Sequence, residues 1–261
     1  MNELDSYLHK QSSVATGHLQ AYAQTTESEQ LHQFRVAMKK INAVAVFLCT
    51  VFPKAKKNKK RLKQIFRSAG FIREQELRLQ WLRRNRLLLL AETSDLERKM
   101  QLYQEGFNQD FISNEKQLHR SVKQLRLLAG TIRQHDLVDS VTRLKQAVVL
   151  QLEKVQPEEW HELRKQIKQL LYALHWLSPG DQLRLLPVKQ VQSFDQLQEA
   201  IGAWHDLVDL KQWLSDEQFF LHTDPLVTKS FAKGWKRLQT SLLTAEKTVL
   251  HQLAQHRQRF K

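Results

Sequence analysis

Glycine and proline are scarce, at 7 and 5 of 261 residues. So few turn formers beside abundant leucine and glutamine point to long helices joined by short connections. No segment alternates polar and apolar residues as a strand would. Cysteine occurs once, as Cys49. That excludes a disulfide framework and a cysteine-rich zinc site, and it suits a reducing compartment. Within the apolar run from Ala43 to Phe52, Cys49 reads as a small core residue rather than a nucleophile. Long hydrophobic runs are also missing. The most apolar stretch, Leu87 to Ala91, is too short to cross a bilayer and follows Arg83, Arg84 and Arg86. The opening residues, MNELDSYLHKQSS, lack the apolar centre of a signal peptide. The expectation is a cytoplasmic protein with no membrane partner.

Acidic residues are outnumbered. The chain carries 41 Lys and Arg against 27 Asp and Glu, a net charge of +14. A charge of that sign and size attracts nucleic acid, an anionic surface or a polymer of phosphates, without choosing among them. Catalytic signatures are missing too: there is no Walker-type glycine loop, no HExxH and no GxSxG. His205, Asp206 and Asp209 do not close a metal site when set on one helix, and charge pairing or capping accounts for them better. The expectation is a protein that is not an enzyme and uses neither cofactor nor metal.

Helical periodicity recurs along the chain. It predicts helices over 3–24, from Thr26 to about Pro53, 54–69, 72–91, 93–109, 115–128 and 132–155. Further helices follow from Pro157 to Leu177, then over 194–202, 203–221 and 225–257. Thr26 and Glu29 have capping-box spacing. Gly70 and Gly130 read as breaks, Ser178-Pro179-Gly180 as a turn, and 180–193 as a loop.

An internal repeat organises these elements. HQFRVAMKKI starts at His32 and HELRKQIKQL at His161, an offset of 129. Gly70-Phe71-Ile72-Arg73-Glu74 leads to Gln80-Trp81-Leu82, and Gly202-Ala203-Trp204-His205-Asp206 leads to Gln212-Trp213-Leu214, an offset of 132. Two matches in the same order argue for duplication of a half of about 130 residues, 1–130 and 131–261.

At about 100° per residue, His32, Arg35 and Lys39 fall in one narrow stripe. Its second copy is His161, Arg164, Lys165, Lys168, Tyr172 and His175, opposite an inward face of Leu163, Ile167, Leu170 and Leu174. A solvated helix side is the ordinary explanation of such a stripe, but solvated sides interleave acids with bases and neither of these contains an acid. After Lys40 the first helix turns apolar nearly all round, which would place His32, Arg35 and Lys39 along an interior groove where unpaired like charges are costly. The run Lys54 to Lys63 adds seven cations in ten residues with no acid. Arg67 and Arg73 follow, so Lys63, Arg67 and Arg73 would extend one electropositive track. The tryptophans (81, 160, 176, 204, 213 and 235) recur among leucines and read mostly as core.

These residues resemble the conserved histidine α-helical domain, or CHAD, family. Its pattern is a His-x-x-Arg helix rich in following lysine and arginine, then a Leu-Gly-x-x-Arg-Asp element, in both halves of a duplication. The likeness runs from about residue 3 to 257. HQFRVAMKK and WHELRKQIKQLLYAL match the helices, SAGFIRE and AIGAWHD the glycine elements. Asn42 and Leu171 stand where a further Arg is implied, His175 where a Glu is, and Glu74 where an Asp is. His205 occupies the place of Arg73. The resemblance implies an all-α fold of two pseudo-symmetric four-helix bundles with a basic central cavity. It implies non-catalytic binding of inorganic polyphosphate, often with association to polyphosphate granules. His32, Arg35, Lys39, Lys40, His161, Arg164 and Lys168 would face that ligand. The other readings kept open are a nucleic-acid-binding helical protein, with the cations on an exposed face, a phosphoryl-transfer enzyme, and a granule scaffold.

Overall fold

The computed structural model describes residues 2–87, 91–216 and 225–259, and every regular element among them is helical. The chain divides into two compact units. One runs through Arg83 and resumes up to Leu137; the other begins at Val138 and takes in the short segment Arg84–Leu87.

The first unit holds α1 (Glu3–Thr25), α2 (Ser28–Val51), α3 (Lys56–Arg84), α4 (Ala91–Gln109), α5 (Phe111–Ala129) and the first turn of α6 (Gln134–Lys154). The α1 helix starts because the Asn2 side chain accepts from the Asp5 N–H at 2.9 Å. The same amide donates to Ala129 O at 2.8 Å and Ile132 O at 3.0 Å, anchoring the cap to the end of α5. Leu4, Leu8, Ala15, Leu19 and Tyr22 recur at helical spacing and are fully buried. They meet Leu31, Phe34, Met38 and Ile41 of α2, all without exposure. Phe107 of α4 sits edge-on to both Tyr22 (5.9 Å) and Phe34 (6.2 Å). Burial pushes the Tyr22 phenol up to about 12. Asp5 and Arg126 Nε, 2.6 Å apart, tie α1 to α5 at the rim. Beyond Lys40, α2 buries Ile41, Ala43, Val44, Ala45, Phe47 and Leu48 but leaves Val46 exposed, so it is covered on most sides rather than all. Cys49 is half-buried.

The second unit holds the rest of α6, α7 (Trp160–Leu174), α8 (Pro179–Leu185), α9 (Val188–Asp216) and α10 (Pro225–Arg259). A capping box between Gln156 and Glu159, with Pro157 in the first turn, launches the segment that becomes α7. Trp160, Leu163, Ile167 and Leu170 turn inward, and Trp176 closes the helix end in the core. The α9 and α10 helices pack together through buried Phe194, Leu197, Val249 and Leu253. His256 Nε2 lies 2.9 Å from Ser193 Oγ and 3.1 Å from Ser193 O, a polar staple inside that contact. No helix among the described residues is long and apolar enough to cross a membrane.

Several boundaries differ from the sequence reading. Thr26 takes a left-handed conformation (φ 54°) and ends α1, with its N–H donating to Tyr22 O. Its hydroxyl donates to Thr25 O, so the box with Glu29 does not form, and Glu27 precedes α2 without a side-chain cap. Gly70 does not break the chain: α3 runs through it for 29 residues, and α9 likewise runs through Gly202. The stretch 180–193, read as a loop, contains α8, capped by Ser178, and the start of α9. Residues 217–221 of the predicted helix 203–221 lie outside the described residues, as do 88–90 of the predicted 72–91.

Phe34 joins α1, α2 and α4 in a single cluster, so Phe34→Ala should lower unfolding free energy by about 3–5 kcal/mol in a denaturant titration. A loss below about 1 kcal/mol would show that the cluster relaxes around the gap.

Candidate functional site

The site follows from how one arginine per unit is seated. Arg35 of α2 donates from Nη1 to Phe66 O of α3 at 3.1 Å, and its guanidinium lies 4.4 Å over the Phe66 ring. One turn on, a Cβ at Gly70 would fall 2.8 Å from that same Nη1. A side chain there would have to push the arginine head aside, at a helical position with no positive φ. In the second unit Arg164 of α7 donates from Nε to Gln198 O of α9 at 3.2 Å. A Cβ at Gly202 would lie 2.7 Å from its Nη2 and 2.9 Å from its Cζ. The seat is the same: an arginine, a carbonyl, and a glycine four residues beyond the carbonyl.

Around each seat the charges crowd. Arg73 lies close enough to push both His32 and Arg35 downward, after burial, which is the larger cause for each. Glu74 and Glu76 oppose that shift at Arg35, whose guanidinium stays charged at any working pH. Lys39 acts on His32 in the same direction, while Glu29 opposes it. Arg73 itself is held by Glu76, 3.0 Å away and almost completely buried, and by Ser28 Oγ at 2.9 Å. Ser28 in turn donates to Glu76 at 2.8 Å. Glu74 pairs with Arg78 on its own helix and acts on Arg35 of α2 only through its charge.

The second unit replaces the His32–Arg73 encounter with two imidazoles. Trp160 and Trp204 meet edge to face at 4.9 Å, and the next residue on each helix, His161 and His205, stack at 4.1 Å. Asp209 sits 3.0 Å from His205 Nδ1, which places that ring's proton on Nδ1. His161 Nδ1 is enclosed without a hydrogen-bond partner. Burial first, then His205, Lys165 and Arg164, hold His161 below its ordinary 6.5, with Asp209 opposing. Lys168 is pushed below its usual value by burial and Arg164, while Asp195, Asp206 and Glu199 pull it back. Burial raises the Tyr172 phenol, with Arg164 opposing.

The CHAD domain family matches this chain over residues 6–215. The chain belongs to the CHAD-domain family. Among solved structures it is similar to PptA from Streptomyces chartreusis, with a TM-score of 0.67 and 12% identity, covering 96% of this chain and 97% of that one. At that identity the likeness shows the fold. No curated protein matches the chain.

Within this CHAD domain, the structure gathers His32, Arg35, Lys39 and Arg73 in one cluster and His161, Arg164, Lys165, Lys168 and His205 in another. Lys40 and Tyr172 are half-buried; Lys63 and Arg67 are exposed on α3, and His175 is exposed just past α7. Lys165 is exposed and pairs with Glu162 at 3.1 Å. The sequence reading missed Ser28, Glu76, Asp195 and Glu199. Each acts from a neighbouring helix or helix end, which a stripe drawn on one helix does not contain. No group of three or more metal-ligating side chains occurs among the described residues.

Because His32 and His161 titrate below 6.5 when folded, the unfolded chain binds their protons more readily, and stability contributed by their neutral forms is lost as pH falls through that value. A His32→Gln/His161→Gln variant should therefore lose less stability than the parent between pH 7.5 and 5.5 in paired denaturant titrations. Identical pH profiles would contradict this assignment.

Proposed function

We propose that this CHAD domain binds inorganic polyphosphate through its arginine-seated cationic faces, without performing chemistry on it. The observation that carries the reading is the gathering of half-buried cations around each arginine seat, which the neighbouring carboxylates offset only in part. Arg73 presses on His32 and Arg35, and Arg164 presses on His161 and Lys168. Such crowding costs folding energy, and a line of phosphates is the complement that relieves it. Arg35 and Arg164 each give one donor to a backbone carbonyl, which fixes the guanidinium plane and leaves other N–H groups for phosphate oxygens. The lysines add mobile point charges. The recurrence of arginine, carbonyl and glycine at matched offsets supports duplication of one ancestral half. Family membership supports the ligand. Polyphosphate granules, as a place or a scaffold role, are consistent with the same binding.

Nucleic acid is the second reading, favoured by one observation. Phe71 and Tyr103 stack at 5.4 Å and are each more than 40% exposed, beside the glycine element of α3. Bases stack on such aromatics.

A competition titration of long polyphosphate against duplex DNA, RNA and heparin at fixed salt separates the two. Polyphosphate should displace the others, and log affinity should fall with log salt by roughly 0.7 per neutralised phosphate, by analogy with single strands. Displacement of polyphosphate by nucleic acid at comparable concentration overturns the reading. Gly70→Ala/Gly202→Ala should weaken polyphosphate binding by displacing both guanidinium groups, while far-UV circular dichroism stays unchanged because alanine favours helix. Unaltered affinity in that variant would remove the seated arginines from the site.

A further inference from the structure

The α3 and α9 helices begin 132 residues apart, at Lys56 and Val188, and each is 29 residues long. That offset also relates Gly70 to Gly202 and Phe66 to Gln198, so the two helices can be compared position by position around the same arginine seat. Their charges do not correspond. Over 56–67, α3 carries seven lysines and arginines and no acid; over 188–199, α9 carries one lysine and two acids. Lys63 is matched by Asp195 and Arg67 by Glu199, two reversals of sign, while Lys56 and Lys60 are matched by Val188 and Gln192.

Geometry gives the difference a direction. Lys56, Lys60, Lys63 and Arg67 fall within about 60° of one another around α3 and extend over about 17 Å of its length. All four are exposed, and none makes an ion pair among the described residues. Lys56, Lys57, Lys59 and Lys60 also crowd the positive end of the helix dipole, where cations are unfavourable and acids would be expected. In α9 the exposed Asp195 and Glu199 face the other way electrostatically, favouring the charged form of Lys168 across from them on α7. That cluster already holds its own counter-charge.

We propose that a long polyphosphate chain is gripped by the first unit, along Arg35 and the α3 stripe Lys56–Lys60–Lys63–Arg67, while the matching α7–α9 face, neutralised by Asp195 and Glu199, contributes little to affinity. The proposal rests on the polyphosphate reading above and assigns the ligand's length to it. Chains long enough to follow α3 away from the arginine seat engage the stripe; tripolyphosphate held at the seat does not reach it.

Exchanging the charges tests this on the full chain. One variant carries Lys63→Asp and Arg67→Glu, the other Asp195→Lys and Glu199→Arg. All four positions are exposed, and a milder Lys63→Gln/Arg67→Gln variant guards against misfolding, checked by circular dichroism. Affinities for long polyphosphate and for tripolyphosphate are measured over a salt series. The α3 reversal should weaken long-chain binding and flatten its salt slope by about 1.4, two contacts at roughly 0.7 each, and leave tripolyphosphate binding nearly unchanged. The α9 reversal should strengthen long-chain binding. If the α3 variants bind long chains as tightly as the parent, the asymmetry is wrong although the polyphosphate reading stands. If the parent binds no polyphosphate, the reading itself falls and this assignment with it.

Discussion

Everything at the candidate site depends on an arginine head packed against a helix at the one-turn gap that a glycine leaves there. The guanidinium of Arg35 needs the Phe66 carbonyl to accept from it, the Phe66 ring to lie under it, and the missing Cβ of Gly70 to let it approach. Arg164 needs Gln198 and Gly202 in the same way. This contact ties each basic helix to its partner through one backbone carbonyl. It also fixes where the remaining cations must stand. Arg73 is drawn next to His32, and His205 over His161, because they lie three residues beyond the glycine on the same helix.

Most folds avoid gathering cations and compensate when they cannot. Here compensation is uneven. Arg73 has a buried carboxylate and a serine hydroxyl, and Lys168 has three carboxylates within electrostatic reach. Among the described residues, the exposed cations at the start of α3 form no ion pair. A network satisfied in one place and unsatisfied at the matching position of the other unit points to what is fixed by folding and what awaits a partner.

The helices themselves were legible because apolar residues recur every three or four positions, as in α1 and α7. Gly70 was misread because a glycine that ends a helix and a glycine that admits a neighbour are the same letter, and only the arginine above it tells them apart. The start of α9 was misread for a related reason: the Ser178-Pro179-Gly180 turn is real, but it caps α8 rather than opening a long loop. The cationic stripes could be drawn from a 100° rotation on one helix. Glu76, Asp195 and Glu199 could not, since their meaning comes from a second helix brought alongside. The stacked His161 and His205 were each named from sequence, whereas their contact depends on the tryptophans that precede them.

The glycines in the seats have ordinary backbone angles, so nothing about their own torsions forbids a larger residue. What a larger residue would meet is the neighbour's planar head, which would have to leave its seat. Each glycine and its arginine therefore form a complementary pair in size, and the requirement belongs to the pair rather than to either member. In relatives that replace the arginine with a slimmer side chain, the opposite helix should tolerate alanine there, and the two positions should drift together through sequence space.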